Sequence, residues 1–305
     1  MDNKWKVLVT EKVGEAGLDI FRNAPEVELE VALGLTDEQI IEKLAGVDAI
    51  LTRSGTTMDE KKIEAGDRLK VIGRAGVGVD NIDVKYAESC GITVRNTPKA
   101  SSQSVAELAM GHMFSCARYI SIAGHTMRED KWEKKAYGKG IELQGKTLGI
   151  VGFGRIGQHL GVMAKAIGMK VVAFDIFHIP GIEEQLGIPY VEMDELLAMS
   201  DFVSVHAPAV DGGALISAEN IAKMKDGVVV INTSRGTNVD EAALLAALES
   251  GKVRAAGLDV YADEPATNKA LYSHPMVSCT PHIGAATVEA QKRIGAEIVD
   301  IIKGM

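Results

Sequence analysis

An arginine, an acid and a histidine in the C-terminal half of the 305-residue chain have the side chains needed for acid–base chemistry on a small acid. His282 could exchange a proton with a reacting oxygen, because histidine titrates near neutral pH. A carboxylate such as Glu264 beside it would favour the protonated imidazole and select one tautomer. Arg235 could bind a substrate carboxylate through two hydrogen bonds and polarise a carbonyl group. The three residues together predict proton transfer at a carbonyl or hydroxyl group.

Each of these side chains, taken alone, is also compatible with a structural role. Arg235 could form a surface ion pair, Glu264 could belong to a turn, and His282 could be a hydrogen-bonded structural histidine. Their placement directly after predicted strands favours a catalytic role over a structural one. The predicted strands that precede them are Val228–Ile231, Ala255–Gly257 and Val277–Thr280. Ligands bind beyond the carboxyl ends of the strands in open parallel sheets, so we expect these loops to meet in one crevice.

A glycine-rich turn links another predicted strand, Thr147–Val151, to a predicted helix. Its glycines are Gly152, Gly154 and Gly157. The first permits a tight turn, the second lets the backbone approach a pyrophosphate, and the third allows close packing of helix on strand. The helix N-terminus would offer N–H groups to the phosphates. Such a turn could serve packing alone, but three glycines at this spacing after a strand predict a dinucleotide site.

Asp175 ends the next predicted strand and lies 18 residues after Gly157. A carboxylate at this position would accept hydrogen bonds from both hydroxyls of the adenosine ribose and repel a 2′-phosphate. No arginine follows it in residues 176–178. The sequence therefore predicts NAD rather than NADP as the cofactor.

These motifs resemble those of the D-isomer-specific 2-hydroxyacid dehydrogenases over essentially the whole chain. The stretches that carry the resemblance are Val151–Gly157, Ile231–Gly236, Val239–Glu241, Gly257–Val260 and Thr280–Ala285. The resemblance implies that Arg235, Glu264 and His282 are the catalytic residues, with no metal ligands. It implies cofactor contacts from Val77, Gly152, Gly154, Arg155, Ile156, Gly157, Asp175, His206, Ala207, Pro208, Thr233, Ser234, Arg235, Asp259, His282, Gly284 and Ala285. The chain departs from the family pattern at Ala207 and Asp211, and the contacts on the adenine side stay open there.

The alternation of short strands with helices along the chain predicts an α/β fold with parallel sheets. The resemblance implies two doubly wound parallel-sheet domains, with a Rossmann NAD-binding domain inserted into a flavodoxin-like substrate domain. We expect the substrate-binding domain to comprise residues 1–98 and 286–305, and the NAD-binding domain residues 99–285. A strongly apolar helix, residues 104–118, predicts burial in the domain core or against a second subunit. The sequence alone favours the core, whereas the resemblance implies a homodimer interface.

Two loops after predicted strands indicate how the substrate is bound. They look like the substrate loops of the D-3-phosphoglycerate dehydrogenases within the family, in which arginines at the positions of Arg53 and Arg74 bind the phosphate. Backbone N–H groups around Gly76 and Val77 would bind the carboxylate end, and Lys134 of a partner subunit could supply a third cation. The predicted substrate-binding residues are Arg53, Arg74, Gly76, Val77, Lys134, Arg235 and His282. The two loop arginines could instead be ordinary strand-end residues facing solvent.

The first functional hypothesis is NAD-dependent oxidation of D-3-phosphoglycerate to 3-phosphohydroxypyruvate, the entry to serine synthesis. The second keeps the chemistry with glyoxylate, hydroxypyruvate or another 2-keto acid as substrate. The third is a non-enzymatic NADH-sensing scaffold, similar to the corepressor branch of the family. The chain ends about twenty residues after the His282 loop, so we expect no C-terminal regulatory domain and no inhibition by serine.

Composition excludes several other classes of protein. The net charge of −9 disfavours general binding to nucleic acid, because phosphate backbones are repelled. The longest apolar run, Ala242–Leu248, has seven residues and is too short to span a membrane. Three widely spaced cysteines, Cys90, Cys116 and Cys279, suggest a reducing, cytoplasmic setting.

Overall fold

The structure, a computed structural model, describes residues 4–210 and 212–303. Asp211, where the sequence departs from the family pattern, lies outside the described residues. The chain divides into unit 1, Met1–Ser101 with Ala285–Met305, and unit 2, Ser102–Gly284. The first boundary between the two units follows residue 101, whereas the predicted boundary follows residue 98. The observed boundary lies there because the long helix that begins at Ser102 belongs to unit 2. The assignment of unit 1 to substrate and unit 2 to cofactor remains our proposal.

The secondary structure alternates along the whole chain. The strands are β1 Trp5–Val9, β2 Val27–Val31, β3 Ala49–Thr52, β4 Val71–Arg74, β5 Thr93–Asn96, β6 Thr147–Val151, β7 Lys170–Phe174, β8 Phe202–Val205, β9 Val228–Asn232, β10 Val253–Leu258 and β11 Val277–Cys279. The helices are α1 Glu15–Arg22, α2 Asp37–Leu44, α3 Glu60–Ala65, α4 Val84–Ser89, α5 Ser102–Arg118, α6 Ile120–Arg128, α7 Arg155–Ala166, α8 Ile182–Leu186, α9 Met193–Met199, α10 Ala218–Lys223, α11 Glu241–Ser250, α12 Lys269–Tyr272 and α13 Val288–Lys303.

Unit 1 is built on a parallel sheet with the strand order β2-β1-β3-β4-β5, the flavodoxin-like order. Successive strand residues point to opposite faces, and both faces are apolar. In β1, Val7 and Val9 belong to the core on one side together with Phe21 of α1 and Ile294 of α13. Leu8 belongs to the core on the other side, with α2, α3 and α4. Helices therefore cover both faces of the sheet.

Unit 2 has a six-stranded parallel sheet with the order β11-β10-β9-β8-β6-β7. Beyond β7, Tyr190 forms a single parallel bridge with Ala173 and occupies the edge position. Counted with this one-residue strand, the order is that of the Rossmann fold, 3-2-1-4-5-6, with one further strand after it. Helices α5 and α7 pack on one face, and α9, α10 and α11 line the other. The predicted fold class, two doubly wound α/β sheets, is confirmed.

Helix α5 is buried by its own unit. Ala106, Ala109 and Met113 are fully enclosed in the core between the sheet and α7. The strongly apolar composition of the helix thus has an intramolecular explanation, and the predicted dimer interface stays a prediction. Within the described ranges, no helix is both long and apolar enough to cross a membrane.

Candidate active site

The glycine turn after β6 has the geometry that its spacing predicts. Gly152 has φ +92°, and a Cβ on it would stand 2.5 Å from the backbone N of Ala207. A Cβ on Gly157 would stand 2.4 Å from the carbonyl oxygen of Gly152, so α7 packs tightly against the turn. Gly154 is the N-cap of α7, and its Cβ position is open space. The helix N-terminus consequently presents backbone N–H groups at a place that a phosphate can reach.

Asp175 lies directly after β7 and is tied to this turn. Its Oδ2 accepts a hydrogen bond from the backbone N–H of Phe153 at 2.7 Å, and its Oδ1 accepts one from the N–H of Phe177 at 3.0 Å. Each carboxylate oxygen retains a lone pair for another donor. The side chain is therefore fixed in place with acceptor capacity left for ribose hydroxyls.

The turns after β8 and β9 are joined by Asn238, a residue that the sequence analysis missed. Its Nδ2 donates to the carbonyl oxygens of Ala207 at 2.9 Å and Pro208 at 3.2 Å, and to Ser234 Oγ at 3.1 Å. Asn238 is fully buried, and its position in a short 3-10 helix, Gly236–Asn238, follows no motif that marks it. The side-chain amide therefore fixes the relative positions of Ala207, Pro208 and Ser234, all three of which are predicted to bind the cofactor.

Two buried polar atoms on predicted cofactor-binding residues lack a hydrogen-bond partner within the described part of the chain. They are Oγ1 of Thr233 and Nδ1 of His206. Burial lowers the pKa of His206 to about 3, so its imidazole is neutral, and Nε2 meets Ser204 Oγ at 2.8 Å. Since buried polar groups are normally paired, these two atoms fit a site that a polar cofactor completes.

His282 and Glu264 form a close pair. The Nδ1–H of His282 donates to Glu264 Oε2 at 2.6 Å, which leaves Nε2 of the imidazole for another partner. His282 has φ +51°, the left-handed region that residues with a Cβ seldom adopt. A pocket of about 480 Å³ opens beside the pair, lined also by Tyr261, Tyr272 and Cys279. The arrangement can hold and move a proton at Nε2.

The loop of Arg235 packs closely against a neighbouring loop. A Cβ on Gly236 would stand 1.8 Å from the carbonyl oxygen of Tyr261, so the Arg235 loop lies directly against the loop that leads to Glu264. The guanidinium donates to the carbonyl of Ser234 at 2.7 Å. Of the predicted catalytic residues, the structure thus joins two by a hydrogen bond and places the third on the adjacent loop.

Asp259 is almost fully buried at the end of β10. Its carboxylate accepts hydrogen bonds from Thr280 Oγ1 at 2.6 Å and from the backbone N–H groups of Ile283 and Gly284, each at 2.8 Å. The backbone carbonyl of Asp259 also accepts from the N–H of His282 at 2.8 Å. Asp259 therefore anchors the loop that carries His282, and its predicted contact with the nicotinamide carboxamide stays a prediction.

Glu241 anchors the neighbouring loop and was likewise missed as a functional candidate. Its Oε1 accepts from the N–H of Ala262 at 2.9 Å, and its Oε2 accepts from Asn268 Nδ2 at 3.0 Å. The two contacts lie on either side of Glu264. The sequence did mark Glu241 as part of a family motif, but its partners are 21 and 27 positions away and could not be read from spacing.

In unit 1, Glu11 holds the Arg53 loop. Its Oε1 accepts from the N–H groups of Arg53 at 2.7 Å and Thr56 at 2.9 Å, and from Thr52 Oγ1 at 3.0 Å, while Oε2 accepts from the N–H of Gly55 at 3.1 Å. Burial works to raise the pKa of Glu11, but these hydrogen bonds outweigh it and lower the pKa below its usual value. Glu11 is therefore an ionised anchor, hidden in sequence because its partners lie more than 40 positions away.

Arg74 lies next to the Arg53 loop because β3 and β4 pair in parallel with Thr52 opposite Arg74. A Cβ on Gly76 would coincide with the Arg74 guanidinium, 1.3 Å from Nη1, so only glycine permits this side-chain position. The backbone of Gly76 is fixed by its carbonyl, which accepts from the N–H of Thr97 at 2.9 Å. Both predicted substrate arginines thus emerge at the same edge of the sheet.

A pocket of about 430 Å³ in unit 1 was not foreseen. It is lined by Arg53 together with Lys12 and Lys292. Glu15, an acid that also lines the pocket, is paired with Arg22 at 2.9 Å. Lys292 reaches the pocket from α13, so only the folded chain brings these cations together. Lys134, predicted to act across a subunit interface, is exposed on unit 2, and that role stays a prediction.

Comparison with known proteins agrees with the fold. A family model described as "D-isomer specific 2-hydroxyacid dehydrogenase, NAD binding domain" matches residues 110–284. The chain is 46% identical over 304 residues to a hydroxypyruvate reductase of Thermotoga maritima, covering 98% of this chain and 97% of that protein. It is 45% identical over 300 residues to a D-3-phosphoglycerate dehydrogenase of Methanocaldococcus jannaschii, covering 98% of this chain and 57% of that protein.

Solved structures give the same result. A D-lactate dehydrogenase from Aquifex aeolicus complexed with NAD and lactic acid superposes with a TM-score of 0.86 at 30% identity, covering 98% of this chain and 94% of that chain. A glyoxylate reductase from Paecilomyes thermophila superposes with a TM-score of 0.90 at 33% identity, covering 100% and 95%. The fold and the comparisons define an NAD-dependent oxidoreductase. The protein belongs to the D-isomer-specific 2-hydroxyacid dehydrogenase family.

The position of Asp175 predicts how cofactor preference responds to its charge. Asp175→Asn keeps an acceptor oxygen but removes the charge that repels a 2′-phosphate, so we expect the preference for NAD over NADP in kcat/KM to fall at least tenfold. Asp226→Asn is the control, because Asp226 is an acid of the same unit that pairs with Lys252 on the surface. An unchanged ratio in Asp175→Asn would show that the acid does not select the cofactor.

The hydrogen bonds of Glu11 predict a pH-dependent loss of stability in Glu11→Gln. The amide places an NH2 group opposite at least one of the four donors and removes the charge from the remaining hydrogen bonds, so we expect unfolding near pH 7 to cost about 1–3 kcal/mol less than in the wild type. Because the folded-state pKa is lowered, this difference is present above the unfolded-state pKa and shrinks as the pH falls through the folded-state value. Urea unfolding at several pH values measures it, with the exposed Glu28→Gln as control. A difference independent of pH would contradict the assignment.

Proposed function

We propose that this protein is an NAD-dependent D-3-phosphoglycerate dehydrogenase that oxidises the substrate hydroxyl to the ketone of 3-phosphohydroxypyruvate. The observation that carries the proposal is that Arg53, Lys12 and Lys292 all line one pocket of unit 1. A phosphate dianion needs two or three cations in close proximity, and a protein of net charge −9 has to supply them locally. An unphosphorylated 2-hydroxy acid needs no such cluster.

In the proposed mechanism, bound NAD supplies the acceptor for the hydride that leaves the substrate carbon. His282 takes the hydroxyl proton at Nε2, the imidazole nitrogen not engaged by Glu264. The Glu264 carboxylate stabilises the imidazolium that results and holds the ring in one tautomer. Arg235 binds the substrate carboxylate. In the reverse direction His282 returns the proton to the carbonyl oxygen.

The cofactor assignment agrees with the residues of unit 2. The glycine turn and the N-terminus of α7 would bind the pyrophosphate, and Asp175 would accept from the ribose hydroxyls. Thr233 and His206 each present a buried polar atom that the cofactor would satisfy.

A second candidate, hydroxypyruvate reduction, is favoured by a different observation. The Thermotoga maritima relative with that name matches this chain over 97% of its own length, whereas the Methanocaldococcus dehydrogenase is matched over 57%. The two candidates share the chemistry of Arg235, Glu264 and His282. They differ in whether the substrate carries a phosphate, and therefore in whether the cations of unit 1 contribute to binding.

Substrate preference decides between the candidates. We expect kcat/KM for reduction of 3-phosphohydroxypyruvate by NADH to exceed that for hydroxypyruvate at least a hundredfold, because the cations bind the phosphate. Arg53→Met and Lys12→Met should each lower the value for the phosphorylated acid tenfold or more and change that for hydroxypyruvate less than threefold. Lys61→Met, an exposed lysine elsewhere in unit 1, is the control.

Two outcomes would overturn the proposal. Equal or better use of hydroxypyruvate by the wild type would assign the second candidate. Equal losses on both substrates in Arg53→Met would show that the arginine serves structure rather than phosphate recognition. Turnover of either acid also excludes the non-enzymatic scaffold.

We also propose that the protein is a cytoplasmic homodimer that associates through the 104–118 helix region, extended by the residues that follow it up to position 132. Four large apolar side chains on this stretch are exposed despite the burial of α5: Phe114, Ile120, Met127 and Trp132. Large apolar side chains exposed along one stretch of chain are what a subunit interface would cover. The three cysteines are unpaired, which agrees with a reducing compartment.

Light scattering on the purified protein tests the dimer. We expect twice the chain mass of 32.5 kDa, and we expect Ile120→Asp to shift the mass toward the monomer because it places a charge in the apolar interface. Val162→Asp, an exposed apolar residue on α7 outside this stretch, is the control. A wild-type mass of a single chain at micromolar concentration would contradict the proposal.

A further inference from the structure

A buried histidine of unit 2 has no role in the site as described so far. His112 lies in the middle of α5 and is only 3% exposed. Its Nδ1 is 3.0 Å from Ser278 Oγ on β11, and its Nε2 is 3.0 Å from Thr280 Oγ1 directly after that strand. Room for the ring depends on Gly257, where a Cβ would stand 2.6 Å from the Cβ of His112. The helix is thus pressed against the strands whose ends carry the active-site loops.

The donor and the acceptor can be assigned for each hydrogen bond that links His112 to Asp259. Both oxygens of the Asp259 carboxylate accept from backbone N–H groups, so Thr280 is the donor in its 2.6 Å contact with Asp259 Oδ1. A hydroxyl has one proton, and Thr280 Oγ1 must therefore accept from Nε2–H of His112. In the neutral ring Nδ1 then accepts from Ser278 Oγ. Burial lowers the pKa of His112 and the charge of Asp259 opposes this, so the net lowering agrees with a neutral ring.

The chain of contacts ends at the residue that transfers the proton. Asp259 binds the N–H groups of Ile283 and Gly284 through its side chain and that of His282 through its backbone carbonyl. His282 has φ +51°, which its Cβ disfavours, so the loop keeps this conformation only while its N–H groups are bound. The geometry of Asp259 in turn depends on the donor from Thr280.

We propose that His112 is a positioning residue of the active site: by donating to Thr280 it aims the Thr280 hydroxyl at Asp259, and Asp259 then holds His282 in its working orientation. The inference rests on the proposed role of His282. Without the Nε2–H donor, the Thr280 hydroxyl can rotate toward another acceptor, and the loop after β11 loses one of its anchors. The consequence is a misplaced imidazole and a slower chemical step, while the proposed pyrophosphate and ribose contacts of the glycine turn and Asp175, which carry most of the cofactor binding, stay in place.

The test compares substitutions that remove or keep the donor. In His112→Leu we expect kcat for reduction of the better of the two 2-keto acids to fall at least tenfold, with KM for NADH changed less than threefold. His112→Gln keeps an N–H donor at the level of Nε2 and should restore kcat to within threefold of the wild type. With NADH deuterated at the transferred position, the isotope effect on kcat should rise in His112→Leu, because hydride transfer becomes rate-limiting.

Further variants separate positioning from packing. Thr280→Val removes the hydroxyl with little change of shape and should match His112→Leu, and the double variant should lose no more than either single one. Ser278→Ala removes the other contact of His112, which does not lead to Asp259, and should lower kcat less than threefold. Met113→Leu, a substitution of similar volume in the core next to His112, controls for effects of repacking α5.

The outcomes are distinct even where a variant fails to fold. If His112→Leu is unfolded, Thr280→Val and Ser278→Ala decide, and equal losses in these two would overturn the inference. A folded His112→Leu with wild-type kcat and isotope effect would also overturn it. Activity that survives in His282→Ala would instead contradict the proposed function, whereas an inactive His282→Ala beside a fully active His112→Leu would remove this inference alone.

Discussion

The buried carboxylate of Asp259 is the group around which the candidate active site is arranged. A charge removed from water needs donors on both oxygens, and here they come from Thr280 and from the backbone N–H groups of Ile283 and Gly284. Those groups belong to the loop of His282, so the requirement to solvate one charge also fixes the position of the imidazole. The same need for close approach explains Gly284, whose Cβ would stand 3.1 Å from Asp259 Oδ2.

Unit 1 uses the same physics with a second carboxylate. Glu11 accepts hydrogen bonds from the N–H groups of Arg53, Gly55 and Thr56. These bonds fix the conformation of the loop that carries a predicted substrate arginine. In both units a carboxylate that accepts several hydrogen bonds from one loop orders that loop, which carries a functional side chain. Preorganisation of this kind places charged side chains before the substrate arrives, so less of the binding energy is spent on ordering them.

Close packing at strand ends is the second recurring constraint. Gly152, Gly236 and Gly257 each lie where a Cβ would come within 2.6 Å of another residue. The first was predicted because dinucleotide-binding turns share a compact spacing along the chain. The other two lie in stretches that carry the family resemblance, but the physical reason for glycine there is not visible in the sequence, because the contacting residues, Tyr261 and His112, are distant in sequence. Their function is visible only when neighbouring elements are in place.

The sequence by itself determined the fold class, the family, the cofactor and the candidate trio of Arg235, Glu264 and His282, because each depends on local periodicity or on short motifs that follow strands. It could not identify Glu11, Asn238, His112 or the pocket that Lys12, Arg53 and Lys292 line together. The hydrogen bond between His112 and Thr280 joins residues 168 positions apart, and such contacts leave no pattern in spacing or composition. Only the tertiary structure decided them, since a side chain acquires a partner when parallel strands and the helices that cover them bring distant segments within hydrogen-bond distance.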